Sequence, residues 1–331
     1  MKCCKCGKEF KADISNRKKF RYCEYCMNEL SLITTARKNL LISYQALPLE
    51  IKIKKSKLLI EEAIREFGMN KVYVSYSGGK DSTVLSHLIR QDYPDILHLF
   101  SNTTTEYPET LKHVLWEQRE NGMNLIQVRP IDGNGRPFNF KRVVDEYGYP
   151  MFSKGVSNAI RTYRRALSEE TRQNSIDYIN RNFKKYSIYK ECNISDLCCD
   201  KLKKNPVKKK ARELGLECSI IGTLAEESRQ RASDWIKHGC NVFYKKKDNQ
   251  CRPLSFWTEK DIYEYIEKYN VKIADLYSMG YERNGCMFCG FGVHLEQSPN
   301  RFERLKETHP RSYKYLLDNF KDILDELGIK Y

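Results

Sequence analysis

The chain is poor in features that would place it in or across a membrane. No apolar run approaches the ~20 residues that a helix needs to cross a bilayer. No leader-like apolar segment precedes the charged N-terminus. A membrane partner is therefore not expected, and the chain reads as cytoplasmic. Acidic residues are also in deficit: 43 Asp and Glu stand against 58 Lys and Arg, giving a net charge of +15. Such a balance favours a polyanionic partner, nucleic acid above all, with an acidic partner protein as the alternative. The spacing G-x-x-x-x-G-K-[ST] is missing, which excludes the common phosphate loop. No cysteine follows Cys289.

The thirteen cysteines that are present are clustered. In a chain without an export signal they are expected to be metal or cluster ligands, not disulfides. Cys3-x-x-Cys6 and Cys23-x-x-Cys26 are two knuckles at the separation of a tetrahedral Zn2+ ribbon, with Cys4 to spare. Such a ribbon folds a small module and performs no chemistry. Arg17, Lys18, Lys19 and Arg21 between the knuckles would let it touch nucleic acid.

The stretch that organises the chain is Lys71–Ser82. An apolar β-branched run ends abruptly in Ser77-Gly78-Gly79-Lys80-Asp81-Ser82, and Val84, Leu85, Leu88 and Ile89 then fall on one helical face. Strand, glycine turn and helix form a ready cradle for a pyrophosphate group. The glycines let backbone N–H groups close on an anion, and the helix start adds its positive end. Lys80 and the hydroxyls of Ser77 and Ser82 supply charge and donors.

Before this stretch, about Leu30 to Phe67 reads as helix interrupted by Pro48. After it, Asp95–Phe100 reads as a second strand, Pro108 opens a helix, and Leu125–Val128 is a third strand. Strand alternating with helix predicts an α/β fold with a doubly wound parallel sheet. The polar run Ser101–Thr110 then lies where open α/β sheets bind ligands. Met151–Lys190 reads as a basic helical insertion carrying Arg161, Arg164, Arg165, Arg172 and Arg181. This insertion and Lys208–Lys210 offer either a solvated basic face or a surface for nucleic acid or an acidic partner. Pro299–Tyr331 has the pattern of an amphipathic helix. The expected organisation is a ribbon over 1–30, a helical linker over 31–68, a nucleotide domain over 69–295 with the insertion near 151–190, and C-terminal helices over 296–331.

The Ser77–Ser82 run resembles the PP-loop of ATP pyrophosphatases, which split ATP between the α and β phosphates. Further along come Tyr107-Pro-Glu-Thr110, Cys198-Cys199, Gly222, Glu226–Ala232, Arg252–Thr258 and Gly285-Cys-Met-Phe-Cys289. In order and spacing these are similar to the phosphoadenosine phosphosulfate (PAPS) reductase family, within the adenine nucleotide alpha-hydrolase-like superfamily. The resemblance covers roughly residues 70 to 295. Taken alone, the two cysteine pairs Cys198-Cys199 and Cys286-x-x-Cys289 suit zinc or an iron–sulfur cluster equally. The resemblance to the adenylylsulfate reductase branch implies a [4Fe-4S] cluster on Cys198, Cys199, Cys286 and Cys289. Cys192, Cys218, Cys240 and Cys251 are expected to pack as small hydrophobes. Arg229 and Arg231, whose planar forks suit phosphate oxygens, are expected to join Gly222 and the loop on an adenine nucleotide.

Three departures turn the reading away from sulfate reduction. The PP-loop is whole, although the resemblance implies that sulfonucleotide reductases do not need it. The C-terminal cysteine nucleophile of those reductases is missing. Leu224 stands where many of them carry arginine. The expected function is thus ATP-dependent adenylation of an acceptor, nucleic acid first, with pyrophosphate release. Sulfur transfer would follow, supported by the cluster. Lys80, Asp81 and Ser82 would carry the catalysis with Mg2+. This resembles iron–sulfur sulfurtransferases of the DNA phosphorothioation type and implies a sulfur donor such as a cysteine desulfurase. Two rivals are a sulfonucleotide reductase that releases sulfite and a non-catalytic, nucleotide-dependent nucleic-acid-binding subunit.

Overall fold

The structure, a computed structural model, describes residues 2–9, 22–244 and 248–331. The basic residues Arg17, Lys18, Lys19 and Arg21 lie outside the described residues. The chain divides into two compact units: Met1–Gly68 with Cys218–Val271, and Met69–Glu217 with Lys272–Tyr331. Among the described residues no helix is long and apolar enough to cross a membrane.

Taken along the chain, α1 (Glu24–Gln45) and α2 (Leu49–Phe67) come first. Pro48 separates them, because the residue before a proline is pushed out of the helical region. There follow β1 (Val72–Tyr76), α3 (Lys80–Arg90), β2 (His98–Ser101), α4 (Pro108–Arg119) and β3 (Leu125–Val128). The second strand starts later than its apolar run, because Ile96 is still held in a turn by its N–H bond to the Tyr93 carbonyl at 3.2 Å. Next are α5 (Phe140–Tyr147), β4 (Met151–Phe152), and the insertion helices α6 (Lys154–Arg165) and α7 (Glu169–Phe183). Asn139, Ser153 and Ser168 cap these three helices with side-chain oxygens. Then come α8 (Asn205–Glu213), β5 (Cys218–Ile221), α9 (Arg229–His238), β6 (Asn241–Val242) and β7 (Asn249–Cys251). The chain closes with α10 (Glu259–Lys268), β8 (Gly290–Phe291), α11 (Arg301–Thr308) and α12 (Pro310–Glu326).

The α/β class and a mostly parallel sheet are what the structure has. In the larger unit β1, β2 and β3 form a parallel ladder with Tyr76 opposite Phe100 and Phe100 opposite Gln127. Successive strand residues face opposite ways. Phe100 and Tyr76 therefore pack with Val114 of α4, whereas Leu99 and Tyr73 pack with Val207 and Ala211 of α8. Helices cover both faces of this ladder, and all three strands end on one edge. The short pair β4 and β8 is also parallel, with Met151 opposite Gly290. The C-terminal helices bury Phe302, Leu305, Leu316, Phe320 and Leu324 in the core that also holds Phe140, Tyr149 and Ile160.

In the smaller unit β5 pairs parallel with β7, and β6 pairs antiparallel with β7. Its central polar contact is buried. Lys52 Nζ lies 2.5 Å from Asp261 Oδ2 and 2.7 Å from the Gln45 carbonyl, at 1 % exposure. Asp261 also accepts from the Thr258 N–H, closing a capping box on α10. Trp257 is a fully buried core residue, its indole N–H donating to Ser56 Oγ at 2.9 Å. Cys218, Cys240 and Cys251 are buried here, and Cys192 is buried in the larger unit, as small apolar groups.

Candidate nucleotide and cluster site

The Ser77–Ser82 turn joins the end of β1 to the start of α3. Gly78 has φ +73°, where an L side chain is strained, and a Cβ there would stand 2.7 Å from Val114 Cγ2 and 3.0 Å from Thr110 Cγ2. A Cβ on Gly79 would stand 3.3 Å from the Asn284 side chain and 3.3 Å from the Tyr277 hydroxyl. Only backbone fits. The Ser77 and Ser82 hydroxyls lie 3.0 Å apart, and Ser82 Oγ donates to the Gly79 carbonyl at 2.9 Å. Lys80, Ser82 and Thr83 are buried as α3 begins.

A second segment, 277–286, closes over this turn. The Lys80 N–H donates to the Tyr277 hydroxyl at 2.8 Å, and Lys80 Nζ donates to the Glu282 carbonyl at 3.4 Å. Asn284 Nδ2 donates to the Ser77 carbonyl at 3.1 Å, while its Oδ1 accepts from Thr110 Oγ1 at 2.9 Å. Thus the Pro108–Thr110 element, the loop and the approach to Cys286 meet in one place. The loop after β2 joins them. Thr103 donates to Glu106 through its N–H at 3.0 Å and its hydroxyl at 2.6 Å, and the Met287 N–H donates to the Thr105 carbonyl at 2.9 Å. Between them Thr104 has φ +65°, a costly conformation for a β-branched residue and one found at functional sites.

Directly beyond Asn284 and Gly285 lies Cys286. Cys198, Cys199, Cys286 and Cys289 are close enough to oppose one another's ionisation. Burial first, and then the charges of Cys286, Cys289 and Cys199, raise the Cys198 thiol well above its ordinary value. Burial, with Cys199 and Cys286, pushes Cys289 up to about 12. Thiols so placed ionise together only around a cationic group. Their sulfurs are not drawn into the compact tetrahedron of the N-terminal four. Among the described residues that compact set is Cys3, Cys6, Cys23 and Cys26, all within 4.8 Å of one another. Lys203, half-buried in the Asp200–Lys204 turn that precedes α8, hydrogen-bonds Cys286. Burial works against its ammonium, yet Cys286, Glu106 and Cys199 hold its pKa above the ordinary lysine value.

The N-terminal four fit one tetrahedral ion. Cys6 and Cys23 sulfurs lie 3.7 Å apart. Burial opposes ionisation of Cys3, but backbone N–H groups at Cys6, Cys23 and Lys5 bring its thiol down to about 6. In the smaller unit Gly222 follows β5, and Arg229 opens α9 with Ser228 as its cap. Arg231 pairs with Glu227 and is not a free fork. The insertion arginines are also committed. Arg161 bonds Asp196 at 2.7 Å, Arg164 bonds Asn193 at 2.6 Å, Arg165 bonds the Glu146 carbonyl at 2.8 Å, and Arg181 bonds the Asp177 carbonyl at 3.0 Å.

Tyr277, Glu282, Asn284 and Lys203 are candidate site residues that sequence reasoning did not single out, whereas Glu106 lies in the Ser101–Thr110 run expected there. For Glu282 and Asn284 the available signal was the polar run between Gly280 and Cys286.

The model of the phosphoadenosine phosphosulfate reductase domain family matches residues 71–149 and 151–290. An uncharacterized protein of Methanocaldococcus jannaschii is 24 % identical over 84 % of this chain, which spans 54 % of that relative's length. Sulfate adenylyltransferase subunit 2 of Geotalea uraniireducens is 24 % identical over 77 % of the chain and 76 % of its own. Among solved structures, PAPS reductase of Candida auris in a phosphate complex aligns with TM-score 0.45 and 15 % identity, over 73 % of this chain and 96 % of that one.

Proposed function

Because the chain belongs to the phosphoadenosine phosphosulfate reductase domain family, we propose that it binds ATP at Ser77–Ser82 and adenylates an acceptor oxygen. The acceptor oxygen bonds the α-phosphorus, the bond to the β-phosphate oxygen breaks, and pyrophosphate leaves. A sulfur nucleophile then displaces AMP from the activated acceptor. Nucleic acid is the acceptor class that the +15 charge favours. The observation that carries the reading is the cradle itself: two adjacent glycines, the first with no room for a Cβ and the second with side chains at 3.3 Å from one, at the carboxyl end of β1 and the start of α3.

In this reading the loop N–H groups and Lys80 Nζ stabilise charge on the departing pyrophosphate. Ser77 and Ser82 exchange their mutual hydrogen bond for phosphate oxygens. Asp81 orients the loop or holds Mg2+. Cys198, Cys199, Cys286 and Cys289 would hold a [4Fe-4S] cluster, which would supply a place to hold or deliver sulfur. Cys3, Cys6, Cys23 and Cys26 would hold a structural Zn2+.

The test is anaerobic purification with iron and sulfide analysis, then pyrophosphate release from ATP with and without nucleic acid. About four irons per chain are expected. Lys80→Ala should lower release by roughly 100-fold, the scale of one lost charge-stabilising contact. Sulfite release from a sulfonucleotide without ATP cleavage would make the protein a reductase instead.

A second reading is favoured by the relatives named sulfate adenylyltransferase subunit 2. In it the adenylated oxygen belongs to sulfate. Sulfate-dependent pyrophosphate release, unaffected by nucleic acid, would select it.

A further inference from the structure

The insertion arginines expected to face a polyanion are each tied to a neighbour, although only Arg161 and Arg172 lie beside a carboxylate, Asp196 and Glu169. A second set of cations lies in the larger unit, beside the nucleotide loop. A groove of about 670 Å³ runs between the segment after β3, helix α5 and helix α8. Six cationic side chains line it against three carboxylates. The carboxylates are already neutralised: Arg142 lies 2.7 Å from Asp132 and 3.0 Å from Glu146, and Lys210 lies 3.4 Å from Glu213. Arg129, Lys209 and Arg212 are exposed and pair with no carboxylate among the described residues. Lys201 stands over the Tyr147 ring at 4.5 Å, which leaves its charge uncancelled.

The groove's position matters as much as its charge. Arg129 directly follows β3 and Ser77 directly follows β1. The strand order β3-β2-β1 puts these two ends on the same edge, two strand spacings or roughly 10 Å apart. Lys201 is two residues beyond Cys199, so the groove also borders the stretch that carries the first cysteine pair. Lys209 and Arg212 are three residues apart on one helix and share a face. Exposed cations spaced along an edge suit a repeating phosphate backbone. A small anion would call for buried, converging groups.

We propose that this groove is the docking surface for the phosphate backbone of a nucleic acid, which it lays across the edge beside the nucleotide loop. The proposal rests on the adenylation reading for the identity of the acceptor, but binding can be measured without catalysis.

The experiment is fluorescence anisotropy of the full chain with a labelled 25-nucleotide DNA strand, its duplex and an RNA hairpin, across a salt series and without ATP. The variants are Arg129→Glu/Lys209→Glu/Arg212→Glu and, as a control, Lys154→Glu/Lys184→Glu in the insertion. The groove variant should lose about tenfold or more in affinity, with the log–log salt slope falling by about 2 to 3, and the control should lose much less. Unchanged hydrogen-exchange protection of β1 and β3 confirms that the variant folds. If it does not fold, the exposed changes Lys209→Ala and Arg212→Ala read the same slope. Three results would overturn the proposal: no binding of any probe at low salt, equal losses in groove and control variants, or groove-dependent binding of polyglutamate with none of nucleic acid. Groove-dependent binding with no pyrophosphate release under any acceptor would sink the adenylation reading alone.

Discussion

Gly78→Ala probes the cradle directly, because the substitution imposes two separable costs. The first is backbone strain: at φ +73° an L residue loses roughly 1–2 kcal/mol. The second is contact. The new methyl would lie 2.7 Å from Val114 Cγ2 and 3.0 Å from Thr110 Cγ2 on α4. Val114 is fully buried and Thr110 is buried and hydrogen-bonded, so neither yields freely. Overpacking of this kind costs about 1–3 kcal/mol, for a total of about 2–5 kcal/mol. Gly122→Ala supplies the control. Its φ is +66° and nothing lies within 4 Å of its Cβ, so only the strain is incurred. The gain from restricting the unfolded chain is common to both variants and cancels. Native-state hydrogen exchange of the β1 amides is the suitable assay, since a chain of two units need not unfold in one step. Gly79→Ala completes the set. Its φ is −84°, so strain is absent, but its methyl presses on Asn284 and Tyr277 at 3.3 Å. It should spare stability and reduce pyrophosphate release. The reasoning fails if Gly78→Ala costs no more than Gly122→Ala, or if Gly79→Ala releases pyrophosphate as the parent does.

Lys52→Met should cost about 3–5 kcal/mol by stranding the buried Asp261 carboxylate, and Lys52→Met/Asp261→Asn should cost less than the single change, as a double-mutant cycle in urea would record. Burial holds His98 and His113 near about 4. Both are neutral in the fold, so stability is full above about 6.5 and falls as pH drops from 6.5 toward 4, where the unfolded chain takes up protons first. Each contributes up to about 3 kcal/mol. A denaturant midpoint that rises between pH 7.5 and 5 in that region would contradict this assignment. Chelation should release one zinc per chain and strip exchange protection from the Cys3 and Gly7 amides, which bond the Lys8 and Cys3 carbonyls. Survival of that protection would remove the metal's structural role.

The strand–loop–helix at Lys71–Ser82 was legible because its signals are local: a β-branched run, two glycines and an amphipathic face within twenty residues. The helix start at Pro108 was legible for the same reason. The strands β6 and β7 were not, since two and three residues are too few for alternation to register. Tyr277, Glu282 and Asn284 meet the loop from about 200 residues away, and nothing near Lys80 announces them. Lys203 hides in a lysine-rich tract, and only the fold distinguishes the one that reaches Cys286. The insertion shows the limit of charge reading. Its arginines are visible in sequence, but the Asp196, Asn193 and backbone carbonyls that occupy them are not.

Asn284 closes on Ser77, and a single residue, Gly285, separates it from Cys286. Two centres are thereby tied to one ruler. Lengthening or shortening the chain between them moves either the amide from the loop or the thiol from its partners. Anyone grafting the loop or the cysteine pair into a relative would have to transplant Tyr277 through Cys289 as one cassette, because neither half carries its own alignment.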